Sequence, residues 1–234
     1  LLDLSVLADS ARATDPQLLG DTTIGGRLVS LPWYVTTGVL YYRSDLLSRY
    51  GFAQPPRTMT ELEQMAAVIQ AGERADGNTG FWGYVWQGDA YEGLTVNALE
   101  WWHAAGAGSL LERPGHVSVN SPAAVAALER ARAWIGTISP PAVLGFAENQ
   151  AVQQFTHGQA AFLRSWQTDH AIFRDSPRLA GRYGVTRLPA EQPVGMHGGS
   201  GLAISAYSEA PEAALRLVEF LVSEQEQRAA ALDA

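Results

Sequence analysis

The hydrophobic and polar positions of this chain fall into short β-prone runs that alternate with longer helical patterns. That order predicts an α/β architecture. Residues 27–42, RLVSLPWYVTTGVLYY, contain two short β-prone runs, and Pro32 demotes the first of them from a central strand. A helix is expected to start at Ser44 or Asp45, either of which can cap it, and to end at Gly51. In RTMTELEQMAAVIQAG, Thr58 and Glu61 have the spacing of a capping box, and Met59, Leu62, Met65, Ala66 and Ile69 recur at helical spacing.

Residues 80–86, GFWGYVW, are rich in β-formers. The stretch GDAYEGLTVNALEWWHAAGAG then reads as a loop and an amphipathic helix that turns Leu94, Ala98 and Trp101 or Trp102 inward. In NSPAAVAALERARAWIG, Ser121 caps, Pro122 takes the first helical position, and Val125, Leu128 and Trp134 are expected to share the buried face. NQAVQQFTHGQAAFLRSW predicts a helix, a turn at Gly158 and a short strand over 160–163 that ends at Arg164, Ser165 and Trp166. RYGVTRLP (182–189) is strand-like, GGSG leads into a strand expected at 202–205, and the remainder is helix, with Ser223 and Glu226 restarting or bending it. No internal repeat or low-complexity linker interrupts this order.

Composition narrows the functional classes. With 234 residues, 47% hydrophobic and 17% charged, the chain can bury a sizeable core in one large domain or two smaller ones. Its net charge of -8 and lack of a basic run argue against nucleic-acid and anionic-membrane partners, which need a cationic surface. No apolar stretch is long enough to span a bilayer, and LLDLSVLADSARATDPQ lacks the succession of a signal peptide. The absence of cysteine removes disulfides, thiolate chemistry and the usual structural zinc sites. A start at Leu1 and a stop in an Ala-rich helical pattern suggest a fragment or a processed region.

The aromatic residues divide into two sets. Trp101 and Trp134 lie at helical spacing and are expected in the core. Trp33, Tyr34, Trp86, Tyr91 and Trp166 stand at the ends of apparent strands beside Gly, Thr, Gln, Ser or Asp, where open α/β sheets bind ligands. Aromatic faces with short polar groups nearby suit a molecule with apolar CH faces and a hydroxylated rim, a sugar.

LPWYVTTGVLYYRSDLLSRYGFAQPPRTMTELEQMAAVIQ resembles the hinge-and-helix signature of the extracytoplasmic solute-binding proteins of carbohydrate ABC importers, among them the trehalose/maltose-binding proteins. The likeness continues through FWGYVWQGDAYEGLTVNALEW, NQAVQQFTHGQAAFLRSW, RYGVTRLP and GGSGLAIS in the family's order, so it covers most of the chain. It implies a periplasmic-binding-protein-like clamp of two α/β lobes joined by crossover hinge strands. Residues 1–40 would be part of a first lobe, 41–197 the second lobe, and 198–234 the return to the first, which would be incomplete for want of the family's opening and closing segments. The resemblance implies sugar binding by closure and delivery to a membrane permease, with no enzymatic step and no cofactor. It also implies a monomer located in the periplasm or outside the cell, and is compatible with a lipid anchor on a segment ahead of Leu1.

Carried over by position, Tyr34 and Thr36 fall on the family's corner contacts, Trp166 on a sugar-stacking position, and Gln87, Tyr91 and Glu92 in a second-lobe loop of polar and aromatic contacts. Ser200, and with it His197, falls near the ligand. Thr36 stands where maltose and trehalose binders often carry a carboxylate, and Ser200 where an aromatic residue often follows the two glycines; both departures should change which sugar fits.

A secreted hydrolase acting on a similar glycan is the rival reading. It would need two carboxylates flanking a bond, and Asp89, Glu92 and Glu100 are the candidates. Glu100, on an amphipathic helix, is expected to be solvated, and Asp89 and Glu92 serve equally as hydroxyl acceptors. The five histidines show no pairing at metal-ligand spacing, so no metal site is expected. GGSG at 198–201 fails as a nucleophile elbow because Leu202 stands where glycine is required. Close backbone packing is the role expected of these glycines.

Overall fold

A computed structural model describes residues 1–8, 16–108, 110–112, 115–192 and 194–233. In chain order its elements are α1 (Pro16–Asp21), β1 (Thr23–Ile24), β2 (Arg27–Leu28), β3 (Leu31–Arg43), α2 (Ser44–Arg49), α3 (Met59–Ala75), β4 (Trp82–Val85) and α4 (Glu92–Ala104). They continue with β5 (Leu111–Glu112), β6 (His116–Val117), α5 (Pro122–Trp134), α6 (Glu148–Thr156), β7 (Ala160–Trp166), α7 (His170–Arg174), β8 (Tyr183–Thr186), β9 (His197–Leu202), α8 (Pro211–Leu221) and α9 (Glu224–Asp233). The chain forms two compact units, one of residues 1–36 and 197–234 and the other of residues 37–196, and β3 runs from the first into the second.

The larger unit is built on a mixed sheet in the order β4-β7-β3-β8, with β4 and β7 parallel and the β7–β3 and β3–β8 pairs antiparallel. β7 lies between two strands, and Ala160 to Ser165 are all buried, as a strand covered on both faces requires. The helix α3 packs on β4 and α6 on β7. Its cap forms as the sequence predicts on one side only: the Glu61 amide donates to Thr58 Oγ1 at 3.1 Å, while the Glu61 carboxylate takes the Arg57 amide at 2.6 Å. At the α3–β4 contact Gly83 lies against the backbone of Ala66, and the buried Gln70 amide bridges the Gly83 N–H and the Thr137 carbonyl.

A chain of edge-to-face rings, Trp86 to Trp101 at 5.0 Å, Trp101 to Trp134 at 5.2 Å and Trp134 to Tyr84 at 5.5 Å, fills the space under α4 and α5. Trp101 and Trp134 are therefore core residues, as expected. Trp86 is a correction to the sequence reading: it is buried, with its indole N–H donating to Ser139 Oγ, and does not stand at an open strand end. The buried stripe of α5 also differs from expectation. Ala124, Ala127, Ala131 and Trp134 face inward and Val125 and Leu128 are exposed, because small alanines let α5 approach α4 closely.

The smaller unit packs Leu4, Leu7, Leu28, Leu31, Ile204 and Val218 together. Gly25 and Gly26, both at positive φ, turn the β1–β2 hairpin. Two readings need correcting here. β3 is one continuous strand of 13 residues, with Pro32 at its second position, and not two short runs. The last strand lies at His197–Leu202 and not at 202–205, because the glycines of HGGSGL let β9 run close beside β3: Gly199 has φ of 132° and a Cβ there would lie 2.2 Å from the Tyr34 carbonyl oxygen. In α8 and α9, Ser223 accepts the Glu226 amide at 3.4 Å, where the helix restarts.

The Gly83 contact gives a direct check. A Cβ at that position would sit 2.7 Å from both the Cβ and the carbonyl oxygen of Ala66, so Gly83→Ala should push α3 off the sheet and cost about 1–3 kcal/mol. Equilibrium urea unfolding should show a lower midpoint with an unchanged slope.

Candidate functional site

The candidate site of the larger unit is organised by the end of β7. Within its buried run stands one charged residue, Arg164, whose side chain is only 1% exposed. Its guanidinium meets Glu100 of α4 in a two-point contact, Nε to Oε2 at 2.8 Å and Nη2 to Oε1 at 2.7 Å. The expectation that Glu100 is solvated is thus overturned: its side chain is 2% exposed, because α4 turns this position towards the sheet, where Arg164 compensates its charge. The Met196 amide also donates to Glu100 at 3.1 Å. Gly38 of β3, the register partner of Trp166, leaves room for the pair, since a Cβ there would lie 2.1 Å from Glu100 Oε1 and 2.6 Å from Arg164 Nη2.

Around this pair a buried amide network forms, in which the Asn97 side-chain oxygen alone of these amide groups has no hydrogen-bond partner among the described residues. Gln87 is fully buried; its amide nitrogen donates to the Arg164 carbonyl at 3.0 Å and its oxygen accepts from Asn97 at 3.1 Å. The Asn97 amide nitrogen also reaches the carbonyls of Gln87 and Gly93. Gln87, predicted as a contact to ligand hydroxyls, lies beneath the site, where it holds the Arg164 backbone.

Above the pair stands Trp166. The Arg164 guanidinium carbon lies 4.3 Å from its ring centroid, a cation–π contact on one face. The strand end is pinned from below by Tyr41, a core residue whose hydroxyl bonds the Trp166 and Gln167 carbonyls at 3.0 Å each. Burial, followed by the charge of Asp169, pushes the Tyr41 phenol far above its ordinary range, so it stays a neutral donor. The Ser165 hydroxyl donates to the Asp169 carboxylate one turn on, and burial raises the pKa of that carboxyl.

Tyr91, the residue before α4, joins Trp166 through Glu148 in the first turn of α6. The Tyr91 hydroxyl donates to Glu148 Oε2 at 2.6 Å, and the Trp166 indole N–H donates to Oε1 at 3.4 Å. Tyr91, Glu148 and Trp166 are each half-buried, and Glu92 beside them is exposed. The structure therefore brings Tyr91, Glu92 and Trp166 into one neighbourhood, with Gln87 below it.

Tyr34, Thr36 and Ser200 belong to the other unit. Tyr34 is 48% exposed and stacks edge-on with Trp33 at 5.8 Å, and the Ser200 hydroxyl donates to the Tyr34 hydroxyl at 3.1 Å. Thr36 is buried, and its hydroxyl has no hydrogen-bond partner among the described residues.

Arg164, Glu148 and Tyr41 were not singled out in the sequence. The signal for Arg164 is there: a lone charge in the apolar strand AAFLRSW demands a buried counter-ion. Glu148 and Tyr41 carry no comparable mark. Among the described residues no cluster of three or more His, Asp or Glu could hold a metal ion, and no helix is long and apolar enough to cross a membrane.

The mixed sheet, its covering helices and the two units define an α/β fold of the kind found in the binding proteins of sugar importers. The family described as bacterial extracellular solute-binding protein matches residues 1–228, and the chain belongs to that family of binding proteins. A probable ABC transporter-binding protein of Deinococcus radiodurans is 43% identical over the whole chain and 57% of its own length. Among solved structures, maltose-bound MalE3 of T. maritima matches with TM-score 0.88 and 35% identity, over 97% of this chain and 59% of that one. A solute-binding protein of Agrobacterium radiobacter in complex with ribitol matches with TM-score 0.84 and 25% identity, over 99% and 60%. The chain thus spans somewhat more than half the length of these relatives.

The ion pair carries a stability prediction. Glu100→Ala leaves the Arg164 charge buried and uncompensated, and should cost about 3–5 kcal/mol. Urea unfolding monitored by circular dichroism should show that loss.

Proposed function

We propose that this chain is the sugar-capturing part of the binding component of an ABC importer, taking up a di- or oligosaccharide and delivering it to a membrane permease. The observation that carries this reading is the pair of half-buried aromatic residues, Trp166 and Tyr91, aligned by one carboxylate at the end of a sheet strand. Such a pair offers ring faces to a sugar's CH groups and acceptors to its hydroxyls. The reported ligands of the matching structures, maltose and ribitol, are both polyhydroxylated and uncharged.

In this reading Trp166 and Tyr91 stack on the ligand, Glu92 accepts from a hydroxyl, and Gln87 serves by holding the Arg164 backbone. Tyr34, Thr36 and Ser200 are candidate ligand contacts of the smaller unit, Thr36 with a hydroxyl that has no partner among the described residues. In this reading closure on the ligand is the signal to the permease. The family's name supports a location outside the cytoplasm, in the periplasm or beyond the cell, and an anchor on an N-terminal lipid is compatible with it. The same reading makes the chain a monomer without a nucleic-acid partner, in keeping with its net charge of -8.

Calorimetric titration with maltose, trehalose and maltotriose tests the proposal. Saturable binding to at least one is expected, and Trp166→Ala should weaken it roughly tenfold to a hundredfold through lost apolar burial, while circular dichroism stays unchanged. Intact recovery of the sugars separates binding from hydrolysis. No binding by the folded chain would refute the reading. Unchanged affinity in Trp166→Ala would remove Trp166 from the site.

A further inference from the structure

The residue that joins the two aromatic side chains is an acid, and among the described residues no cationic side chain pairs with it. Glu148 lies in the first turn of α6, half-buried, with Oε2 taking the Tyr91 hydroxyl at 2.6 Å and Oε1 taking the Trp166 indole at 3.4 Å. A carboxylate offers about four acceptor sites, so both oxygens keep a lone pair, and the long bond at Oε1 leaves that oxygen the weaker engaged. Among the described residues no arginine or histidine lies within ion-pairing distance of Glu148. The nearby cation, Arg164, is held under the Trp166 ring and is already neutralised by Glu100. Tyr91 and Trp166 donate hydrogen bonds to Glu148 but are themselves neutral, so they soften its charge without cancelling it.

We propose that Glu148 is a specificity-determining residue that accepts a hydrogen bond from a ligand hydroxyl lying against Tyr91 and Trp166, and whose charge rejects sugars that carry a carboxylate or phosphate. The inference rests on the sugar-binding reading and deepens it by naming the class: uncharged sugars and polyols, with uronic acids and sugar phosphates excluded. The physical basis is like-charge repulsion at hydrogen-bond range, where partial burial keeps the effective dielectric well below that of water. A glutamine at this position would keep the shape and an acceptor for the Tyr91 hydroxyl while removing the charge.

The test is calorimetric titration of the chain with maltose and trehalose, each beside the analogue in which one glucose is oxidised at C6 to glucuronic acid. The wild type should bind the uncharged member of whichever pair it recognises at least roughly tenfold more tightly than the acid. In Glu148→Gln that ratio should shrink to about twofold or less, with several-fold weaker binding of the uncharged sugar. Glu129→Gln, an exposed charge on α5, should leave the ratio untouched and so separates local from net charge. Equal binding of sugar and acid by the wild type would overturn the inference and leave the sugar reading standing. A ratio unchanged in a folded Glu148→Gln protein would do the same, whereas failure to bind either uncharged sugar would overturn both. The wild-type ratio needs no substitution, so it decides the matter even if the variant folds poorly.

Discussion

The two-point contact between Arg164 and Glu100 constrains much of the larger unit around it. Two charges are taken almost wholly out of water, which is tolerable only if each is met by the other and by further hydrogen bonds. That requirement reaches outward. It needs a glycine at position 38, because any side chain there would occupy the space of the pair. It engages Gln87 and Asn97 in a buried amide network, and it places a guanidinium against one face of Trp166. The stretch WYVTTGVLYY therefore does not contain a flexible corner. It is a continuous strand in which Gly38 serves close packing, and the backbone there does not adopt a positive φ.

Much of the architecture was legible in the sequence because it rests on local rules. Thr58 and Ser121 cap their helices, Gly51 and Gly158 close theirs at positive φ, and the alternation of strands and helices gives the α/β class. The failures share a physical cause, since each depends on what packs against the element from far along the chain. Val125 and Leu128 are apolar yet exposed, because the alanines of α5 face α4. Glu100 looks like a solvated helix position until a strand residue 64 places later supplies its counter-ion. The strand at His197–Leu202 has little β propensity of its own and exists because its glycines fit beside β3.

The site shows the same division. Tyr91 and Trp166 could be picked out because large aromatics beside small polar residues at strand ends are poor candidates for a core. Trp86 met the same description and is buried, so the criterion selects strand ends without telling which side of the sheet layer a ring faces. The residues that give the site its geometry were not visible. Tyr41 looks like any core tyrosine, yet its hydroxyl fixes the carbonyl of the last β7 residue and that of the residue after it. Glu148 looks like an ordinary helix-start acid, favoured by the dipole, yet it aligns both aromatic side chains. A binding surface of this kind depends on its support, because a ring that can rock costs entropy each time a ligand orders it.

Through Arg164 the buried ion pair supports one face of the Trp166 ring, and that support can be separated from its effect on stability. Replacing both partners together, Arg164→Met with Glu100→Leu, removes the charges without stranding either one, and such exchanges are often neutral for stability. The decisive measurement is the affinity of that double variant for the sugar that the wild type binds. If the pair supports Trp166, the double variant should unfold cooperatively near the wild-type midpoint and bind the sugar at least several-fold more weakly. Wild-type affinity in the double variant would contradict it and reduce the pair to a packing element.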